Sequence, residues 1–199
     1  MKYPIGIQSF ERVINEGYVY VDKTDLIYSL VKDGSIYFLS RPRRFGKSLL
    51  VSTLENYFLG RRELFKGLKI DGLEREWLEY PVFHVDFNGS NFLEEGTLER
   101  KLEGYVETWV RKYGCDSEWT SLGDRFASVL KRAHERTGRR CVVLVDEYDK
   151  PILDVLGSEL EAAGKTGGES LEARNRNVLK GFYSVFKAAD ADLQFVLLT

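Results

Sequence analysis

An apolar β-rich run, a short basic loop and a helical pattern follow one another between Ser35 and Phe58. This order limits the fold more than any other feature. Residues 35–40 predict a buried strand, and residues 47–58 predict a helix, because Leu50, Leu54, Tyr57 and Phe58 recur at helical spacing. A strand that leads into a helix through a loop ending in Gly-Lys-Ser is the context required of a phosphate-binding loop.

The loop fits the pattern G-x-x-x-x-G-K-[ST] except at its first position, where Arg41 replaces glycine. In the complete motif, backbone N–H groups surround the phosphates, the lysine reaches the β and γ oxygens, and the hydroxyl ligates Mg²⁺. The helix dipole also favours an anion there. We expect the nucleotide to contact Arg41, Pro42, Arg43, Arg44, Phe45, Gly46, Lys47, Ser48 and Leu49. From the tripeptide alone, an ordinary helix start with an exposed lysine stays an open alternative.

A second polar feature ends a later strand, because the apolar residues 141–145 are followed at once by Asp146 and Glu147. Parallel α/β sheets bind ligands at the carboxyl ends of their strands. Asp146 is therefore expected to support Mg²⁺, and Glu147 to polarise a water for attack on the γ-phosphorus. Asp-Glu after a strand is also a common solvated loop start, but the Lys47 loop favours the functional interpretation.

Four other polar residues are candidates for the same site. Thr199 ends the last predicted strand and could donate to the γ-phosphate, although it could equally have no role. Asp86 and Asp149 are better explained as caps of a loop and of a helix. His84 is better explained as a packed histidine, because no second His or Cys stands at metal-ligand spacing.

The remaining pattern alternates strands with helices. Apolar strands are predicted at 81–87, 141–145 and 193–199, and helices at 94–113, 122–137, 149–156 and 171–189. Continuously apolar strands favour a mainly parallel sheet covered on both faces, which is an α/β three-layer sandwich. Residues 157–170 predict a mobile loop, and Thr24 is expected to cap a helix over residues 25–32.

Domain organisation follows from the same pattern. Residues 1–34 are assigned to an N-terminal extension packing on the nucleotide domain, and residues 35–199 to its core. The last strand stops without a turn or a polar tail, so we expect a fragment that is truncated on its C-terminal side.

Composition excludes some partners. With 29 basic and 31 acidic residues, no global field attracts nucleic acid or an anionic membrane. The N-terminus lacks a signal pattern, and no apolar run approaches the roughly 20 residues of a spanning helix. The two cysteines, Cys115 and Cys141, show no metal or redox spacing. These observations predict a cytoplasmic protein without a membrane segment or a direct nucleic-acid site, and leave its oligomeric state open.

Together these motifs resemble the AAA-ATPase-like family of bacterial and archaeal P-loop proteins. The resemblance covers almost the whole chain and runs through residues 10–11, 20–24, 38–49, 146–151 and 198–199. In that family arginine is usual at the position of Arg41. The resemblance also extends to the ASCE branch of P-loop ATPases, in which an extra strand separates the phosphate-loop strand from the Asp-Glu strand.

This resemblance implies ATP and Mg²⁺ as cofactors. Lys47 and Ser48 would then form a Walker A site that binds phosphate and Mg²⁺, Asp146 would support the metal as Walker B, and Glu147 would be the catalytic base, with Lys47 also catalytic. Family members often continue into a C-terminal domain similar to restriction-endonuclease-like nucleases, which is a partner expected outside residues 1–199.

Three functions are compatible with these residues. The first is an ATP hydrolase that drives or gates a partner domain, and the second is a non-enzymatic nucleotide-dependent switch with negligible turnover. A small-molecule kinase is weaker, because the Asp-Glu strand end suits water activation. Arg174 and Arg176 are candidate arginine fingers, although solvated helix-face arginines are the stronger expectation.

Overall fold

The computed structural model describes residues 1–40, 42, 45–116, 120–162 and 170–199, and side chains in these ranges outside 157–162. Four strands in this part of the chain form one all-parallel sheet with the order β1-β4-β3-β2. Their bounds are β1 Ile36–Phe38, β2 Val82–Asp86, β3 Cys141–Asp146 and β4 Leu193–Leu198. The predicted α/β class with a mainly parallel sheet is therefore confirmed.

The helices vary in length from one turn to five. Two short 3₁₀ turns accompany them, at Arg62–Phe65 and Asp190–Asp192. The α-helices in the described ranges are α1 Phe10–Asn15, α2 Thr24–Asp33, α3 Lys47–Phe58, α4 Lys69–Leu73, α5 Thr97–Tyr113, α6 Leu122–Thr137, α7 Lys150–Ala162 and α8 Leu171–Ala188. None of these helices is both long enough and apolar enough to cross a membrane.

The chain divides into two compact units. Unit 1 contains residues 1–84, 139–146 and 194–199, and unit 2 contains residues 85–138 and 147–193. Strand β2 therefore begins in unit 1 and ends in unit 2.

The core of unit 1 lies where α3 packs against β3 and β4. The helix contributes one apolar face because its large apolar residues recur every three or four positions. The strands contribute continuous apolar runs, as expected of parallel strands. The buried members from these three elements are Val51, Leu54, Phe58, Val142, Leu144, Phe195 and Leu197. This packing holds the start of α3 in a defined position on the sheet.

Strand pairing brings three strand ends to one edge of unit 1. Strand β1 pairs in parallel with β4, with Phe38 opposite Leu198. The N–H of Leu39 donates to the carbonyl of Leu198 at 2.8 Å, and the N–H of Thr199 donates to the carbonyl of Val145 at 2.9 Å. The carboxyl ends of β1, β4 and β3 therefore lie side by side.

Unit 2 is built from α5, α6, α7 and α8 around stacked aromatic rings. The ring centroids of Trp109 and Phe126 are 5.3 Å apart, and those of Phe126 and Phe182 are 4.7 Å apart with an interplanar angle of 4°. Offset aromatic stacking of this kind contributes about 0.5–1.5 kcal/mol per pair beyond the burial of area. These contacts fix α8, which supports the segment after β3.

Most predicted elements are confirmed, and α3 and α6 begin and end at the predicted residues. The role given to Thr24 is wrong, because Lys23 is the N-cap of α2 and Thr24 is its first residue. The fully buried Thr24 hydroxyl donates to the Asp22 carboxylate at 2.7 Å and accepts from the N–H of Ile70. Asp22 also accepts the N–H of Thr24, so the aspartate supplies the local turn.

The loop predicted from residue 157 is also wrong at its start, because α7 continues to Ala162. A single glycine at Gly157 costs only about 1 kcal/mol in a helix, and its neighbours Leu, Glu and Ala are strong helix formers. Residues 163–169 of the predicted loop lie outside the described ranges. The short helices α1 and α4 were not predicted, since five or six residues give too little periodicity.

Candidate functional site

The phosphate-loop prediction depends on the start of α3, which lies at Lys47. Its N-cap is Gly46, with φ 76° and ψ 22° in the left-handed region that favours glycine. A Cβ added to Gly46 would meet no atom within 4 Å, so glycine is favoured here by its positive φ and not by a lack of space. The carbonyl of Gly46 accepts the first helical bond, from Leu50 at 3.0 Å. The first turn of a helix directs its N–H groups and the positive end of its dipole towards an anion at this end.

Only part of the predicted loop is described. Phe45 is 65% exposed, whereas Lys47 and Ser48 are half-buried. Pro42 and Leu49 are also described, but Arg41, Arg43 and Arg44 lie outside the described residues. The contribution of these three arginines to phosphate binding therefore stays a prediction.

Asp146 ends β3, a strand in which every residue is buried, and is itself only 3% exposed. Its Oδ1 accepts a hydrogen bond from the hydroxyl of Thr199 at 2.8 Å, and Thr199 is 2% exposed. The Thr199 hydroxyl, for which the sequence left a γ-phosphate contact and no role both open, donates to this carboxylate. Because a buried charge is costly without hydrogen bonds, the Thr199 contact both stabilises and orients the Asp146 carboxylate.

Glu147 adopts a backbone conformation that is unusual for its residue type. Its φ is 55°, and the only other non-glycine residue with positive φ in the described part of the chain is Trp77. The left-handed conformation costs a residue with a side chain about 1–2 kcal/mol. Its carbonyl accepts the N–H of Lys150 at 3.0 Å, which closes the turn between β3 and α7. Such strain persists only where the surroundings enforce it, and it is concentrated at functional sites.

Helix α8 holds the segment after Glu147 within unit 2. The hydroxyl of Tyr183 donates to the carbonyl of Tyr148 at 3.2 Å, and the amide of Asn175 donates to the carbonyl of Pro151 at 2.8 Å. Burial raises the pKa of Tyr183, so its hydroxyl stays a donor at neutral pH. These two bonds fix the backbone that follows the strained residue.

Ser48 and Asp146, the predicted Mg²⁺ ligands, both belong to unit 1. The loop before Ser48 follows the carboxyl end of β1, and Asp146 lies at the carboxyl end of β3, at the same edge of the sheet. No three His, Cys, Asp or Glu side chains group as a metal cage among the described residues. A hydroxyl with one carboxylate still fits Mg²⁺, because this ion usually keeps several waters and binds substrate phosphates.

A family model described as "Predicted AAA-ATPase" matches residues 4–199. The chain belongs to this AAA-ATPase-like family. A protein of Azotobacter chroococcum mcd 1 described as "Uncharacterized protein in vnfD 5'region" is 40% identical over 200 residues, which cover 100% of this chain and 37% of that protein. The chain thus spans little more than a third of its relative's length. No solved structure matches the chain.

The comparisons confirm the family resemblance. The family description is consistent with nucleotide binding but names no site residues, and the nuclease-like partner domain is not part of the match. The assignments of Lys47, Ser48, Asp146 and Glu147 therefore stay predictions that rest on the geometry above.

Two other polar candidates of this AAA-ATPase-like chain have local partners. The Asp86 carboxylate accepts from both the backbone N–H and the side-chain amide of Asn88, at 2.8 and 2.9 Å. Asp86 therefore caps the loop after β2, which agrees with the interpretation given to it from the sequence. His84 lies with its Nδ1 3.2 Å from the carboxylate of Glu55, which agrees with a packed histidine.

The two candidate arginine fingers are held by acidic side chains of unit 2. Arg174 donates from Nε to Glu99 at 2.9 Å and also pairs with Glu95. Arg176 pairs with Glu172, four residues earlier on α8. Both arginines pair with carboxylates on the surface of unit 2, which agrees with the expectation of helix-face arginines.

Sequence reasoning missed one feature beside the loop, a cavity of about 590 Å³ in unit 1. It is lined by Gly46 and Lys47 together with residues of the N-terminal segment, among them Tyr20 and Leu26. The available signal was the run Tyr18 to Val21, which is strongly apolar and aromatic yet forms no strand.

The hydrogen bond to Asp146 leads to a stability prediction for Thr199. Replacing Thr199 by Val keeps the shape but removes the donor to a buried carboxylate, and should lower the free energy of unfolding by about 1–3 kcal/mol. The control Thr199→Ser keeps the hydroxyl and should lose less. Urea denaturation monitored by circular dichroism measures the difference, and a Val variant as stable as the Ser variant would contradict this role of the hydroxyl.

The conformation of Glu147 leads to a second prediction. Glycine adopts positive φ without steric cost, so Glu147→Gly should be more stable than Glu147→Ala by about 1 kcal/mol. Alanine is the matched comparison because both substitutions remove the carboxylate. Thermal and urea unfolding of the two variants test this, and an Ala variant equal to or more stable than the Gly variant would show that the residue is not held left-handed.

Proposed function

We propose that this chain is an ATP-binding and Mg²⁺-dependent ATP-hydrolysing domain of the ASCE branch of P-loop ATPases. The observation that carries the proposal is the sheet order β1-β4-β3-β2, in which β4 separates the strand before the loop from the strand that ends at Asp146. The hydroxyl of Thr199 at the end of β4 bonds that same aspartate. Family membership supports the same activity.

The start of α3 supplies the phosphate contacts. Lys47 neutralises the β and γ oxygens, and the first-turn N–H groups and any of Arg41, Arg43 and Arg44 add charge-assisted donors. Ser48 and Asp146 hold Mg²⁺, which would neutralise the charge that develops as the γ-phosphoryl group transfers. The contact from Thr199 keeps the Asp146 carboxylate oriented for this role.

Glu147 provides the proton acceptor. Its carboxylate takes a proton from the attacking water, and a positioned general base of this kind contributes about 10²–10⁴-fold in rate. The left-handed backbone at Glu147 and the bonds from α8 to the next residues support a fixed position for this side chain. Lys47 is also catalytic, because the charge it neutralises is greatest in the transition state.

The nucleotide cycle drives or gates a partner domain in a longer protein. The chain covers 37% of its relative, which leaves room for such a domain there. By family resemblance the partner is a restriction-endonuclease-like nuclease.

One observation favours a second candidate, a nucleotide-dependent switch with negligible turnover. Arg174 and Arg176 are both engaged by carboxylates of unit 2. An arginine that reaches the γ-phosphate contributes about 10³–10⁵-fold in rate where this has been measured. A chain whose arginines stay in these ion pairs would bind ATP and report its presence without rapid hydrolysis.

Substitutions of the adjacent residues Asp146 and Glu147 give the sharpest test of the proposed hydrolysis. Glu147→Gln should leave Mg·ATP affinity nearly unchanged and lower phosphate release by about 10²–10⁴-fold, because it removes the base but keeps the shape. Asp146→Asn should weaken Mg²⁺-dependent ATP binding itself. Calorimetry and a steady-state phosphate-release assay at equal nucleotide occupancy measure both effects.

Asp149→Asn is the matched control, since it removes a nearby carboxylate that lies outside the proposed machinery and should change neither quantity. If Glu147→Gln releases phosphate at the unmodified rate, Glu147 is not the base and the switch becomes the better account. If both neighbours change affinity and rate in the same way, general loss of charge or folding explains the result.

A further inference from the structure

The turn after β3 has a conformation that its own hydrogen bond does not explain. The N–H of Lys150 donates to the carbonyl of Glu147 at 3.0 Å, which closes a four-residue turn. A bond of this kind constrains the two central residues, Tyr148 and Asp149, and leaves the φ of the first residue open. The positive φ of Glu147, 55°, therefore needs a constraint from outside the turn.

Helix α8 contacts the backbone that follows Glu147 at two points within unit 2. The hydroxyl of Tyr183 donates to the carbonyl of Tyr148 at 3.2 Å. The side-chain amide of Asn175, a residue that is 2% exposed, donates to the carbonyl of Pro151 at 2.8 Å. The Tyr183 contact lies one residue after Glu147, so it acts at the end of the turn that carries the positive φ.

Aromatic contacts hold the ring of Tyr183 independently of its hydroxyl. The ring centroid of Tyr183 lies 5.9 Å from that of Phe182 and 5.8 Å from that of Phe186, and both phenylalanines are buried. Phe182 in turn stacks on Phe126. Burial raises the pKa of Tyr183, which keeps the proton of this bond in place at neutral pH. A phenylalanine at position 183 would keep the ring contacts, so the bond to Tyr148 can be removed alone.

We propose that Tyr183 is a positioning residue for Glu147, which it serves by holding the carbonyl of Tyr148. The inference rests on the proposed function, in which the Glu147 carboxylate accepts the proton of the attacking water. Without the hydroxyl, the φ of Glu147 relaxes from 55° towards an ordinary value of about −60°. A rotation of that size about the N–Cα bond moves the carboxylate out of hydrogen-bond reach of the water.

A stability cycle tests the hold on the backbone without any nucleotide. Glu147→Gly and Glu147→Ala are made alone and together with Tyr183→Phe, and urea denaturation gives the free energy of unfolding of each variant. If the hydroxyl enforces the positive φ, the advantage of glycine over alanine falls to roughly half or less in the presence of Tyr183→Phe, because alanine no longer has to be left-handed. A smaller fall, or no glycine advantage in the chain with Tyr183, overturns the inference.

Steady-state kinetics test the consequence for the reaction. Tyr183→Phe should lower kcat for ATP hydrolysis about tenfold and change KM by less than about twofold, because it alters the geometry of the base and not nucleotide binding. Combined with Glu147→Gln, it should cause no further loss of kcat, since it acts through the carboxylate that is already removed. A residue that only stabilised the fold would lower kcat by the same factor in both backgrounds.

Tyr105→Phe is the matched control in the same unit. The hydroxyl of Tyr105 donates to the carbonyl of Asp86 at 3.2 Å and accepts from the N–H of Asp86 at 3.1 Å. Its removal therefore also costs a bond between a phenol and the backbone, but it should leave kcat unchanged.

The positioning role and the proposed function fail in different ways. If Glu147→Gln lowers kcat and Tyr183→Phe does not, or if Tyr105→Phe lowers it equally, the positioning role is overturned and the proposed function stands. An equal loss from Tyr183→Phe with and without Glu147→Gln has the same meaning. If Glu147→Gln leaves phosphate release unchanged, or the unmodified chain releases none, the proposed hydrolysis fails, and the stability cycle still decides whether Tyr183 holds the turn.

Discussion

The parallel pairing of β4 with its two neighbours is the constraint on which the candidate site depends. It sets Leu198 opposite Phe38 and brings the N–H of Thr199 to the carbonyl of Val145. With this register, the hydroxyl of Thr199 meets the carboxylate of Asp146, and the loop that follows β1 leaves from the same edge. A change of register by one residue would turn every side chain of β4 to the other face and remove this contact.

Two residues of the predicted motifs have a left-handed backbone, one in each unit, and they differ in what they imply. Gly46 adopts positive φ at no steric cost and begins α3. Glu147 adopts it against its own preference, directly after a strand in which every residue is buried. Residues depart from their backbone preferences mostly where function requires a particular geometry. The positive φ of Glu147 therefore supports the role proposed for its carboxylate.

Local pattern was enough to predict some of this structure. Gly46, Lys47 and the bounds of α3 follow from a strand, a loop and helical spacing within 24 residues, and Asp146 follows from the end of an apolar run. The partner of Asp146 could not be predicted in the same way, because Thr199 lies 53 residues away and its hydroxyl could have faced the nucleotide. Thr24 was misassigned because its hydroxyl donates to the Asp22 carboxylate and accepts from the N–H of Ile70, which is distant in sequence, instead of capping the helix. The cavity has no motif, since its walls come from separate segments that only the fold brings together.

The central claim is that the Lys47 loop and Asp146 form one site for Mg·ATP. Isothermal titration of ATP into the unmodified chain, with Mg²⁺ and then with excess EDTA, tests it most directly. The account predicts saturable binding of one ATP per chain that weakens strongly when Mg²⁺ is chelated, because the metal links the phosphates to Ser48 and Asp146. Absence of saturable binding at millimolar ATP, or binding that is indifferent to Mg²⁺, would contradict the account.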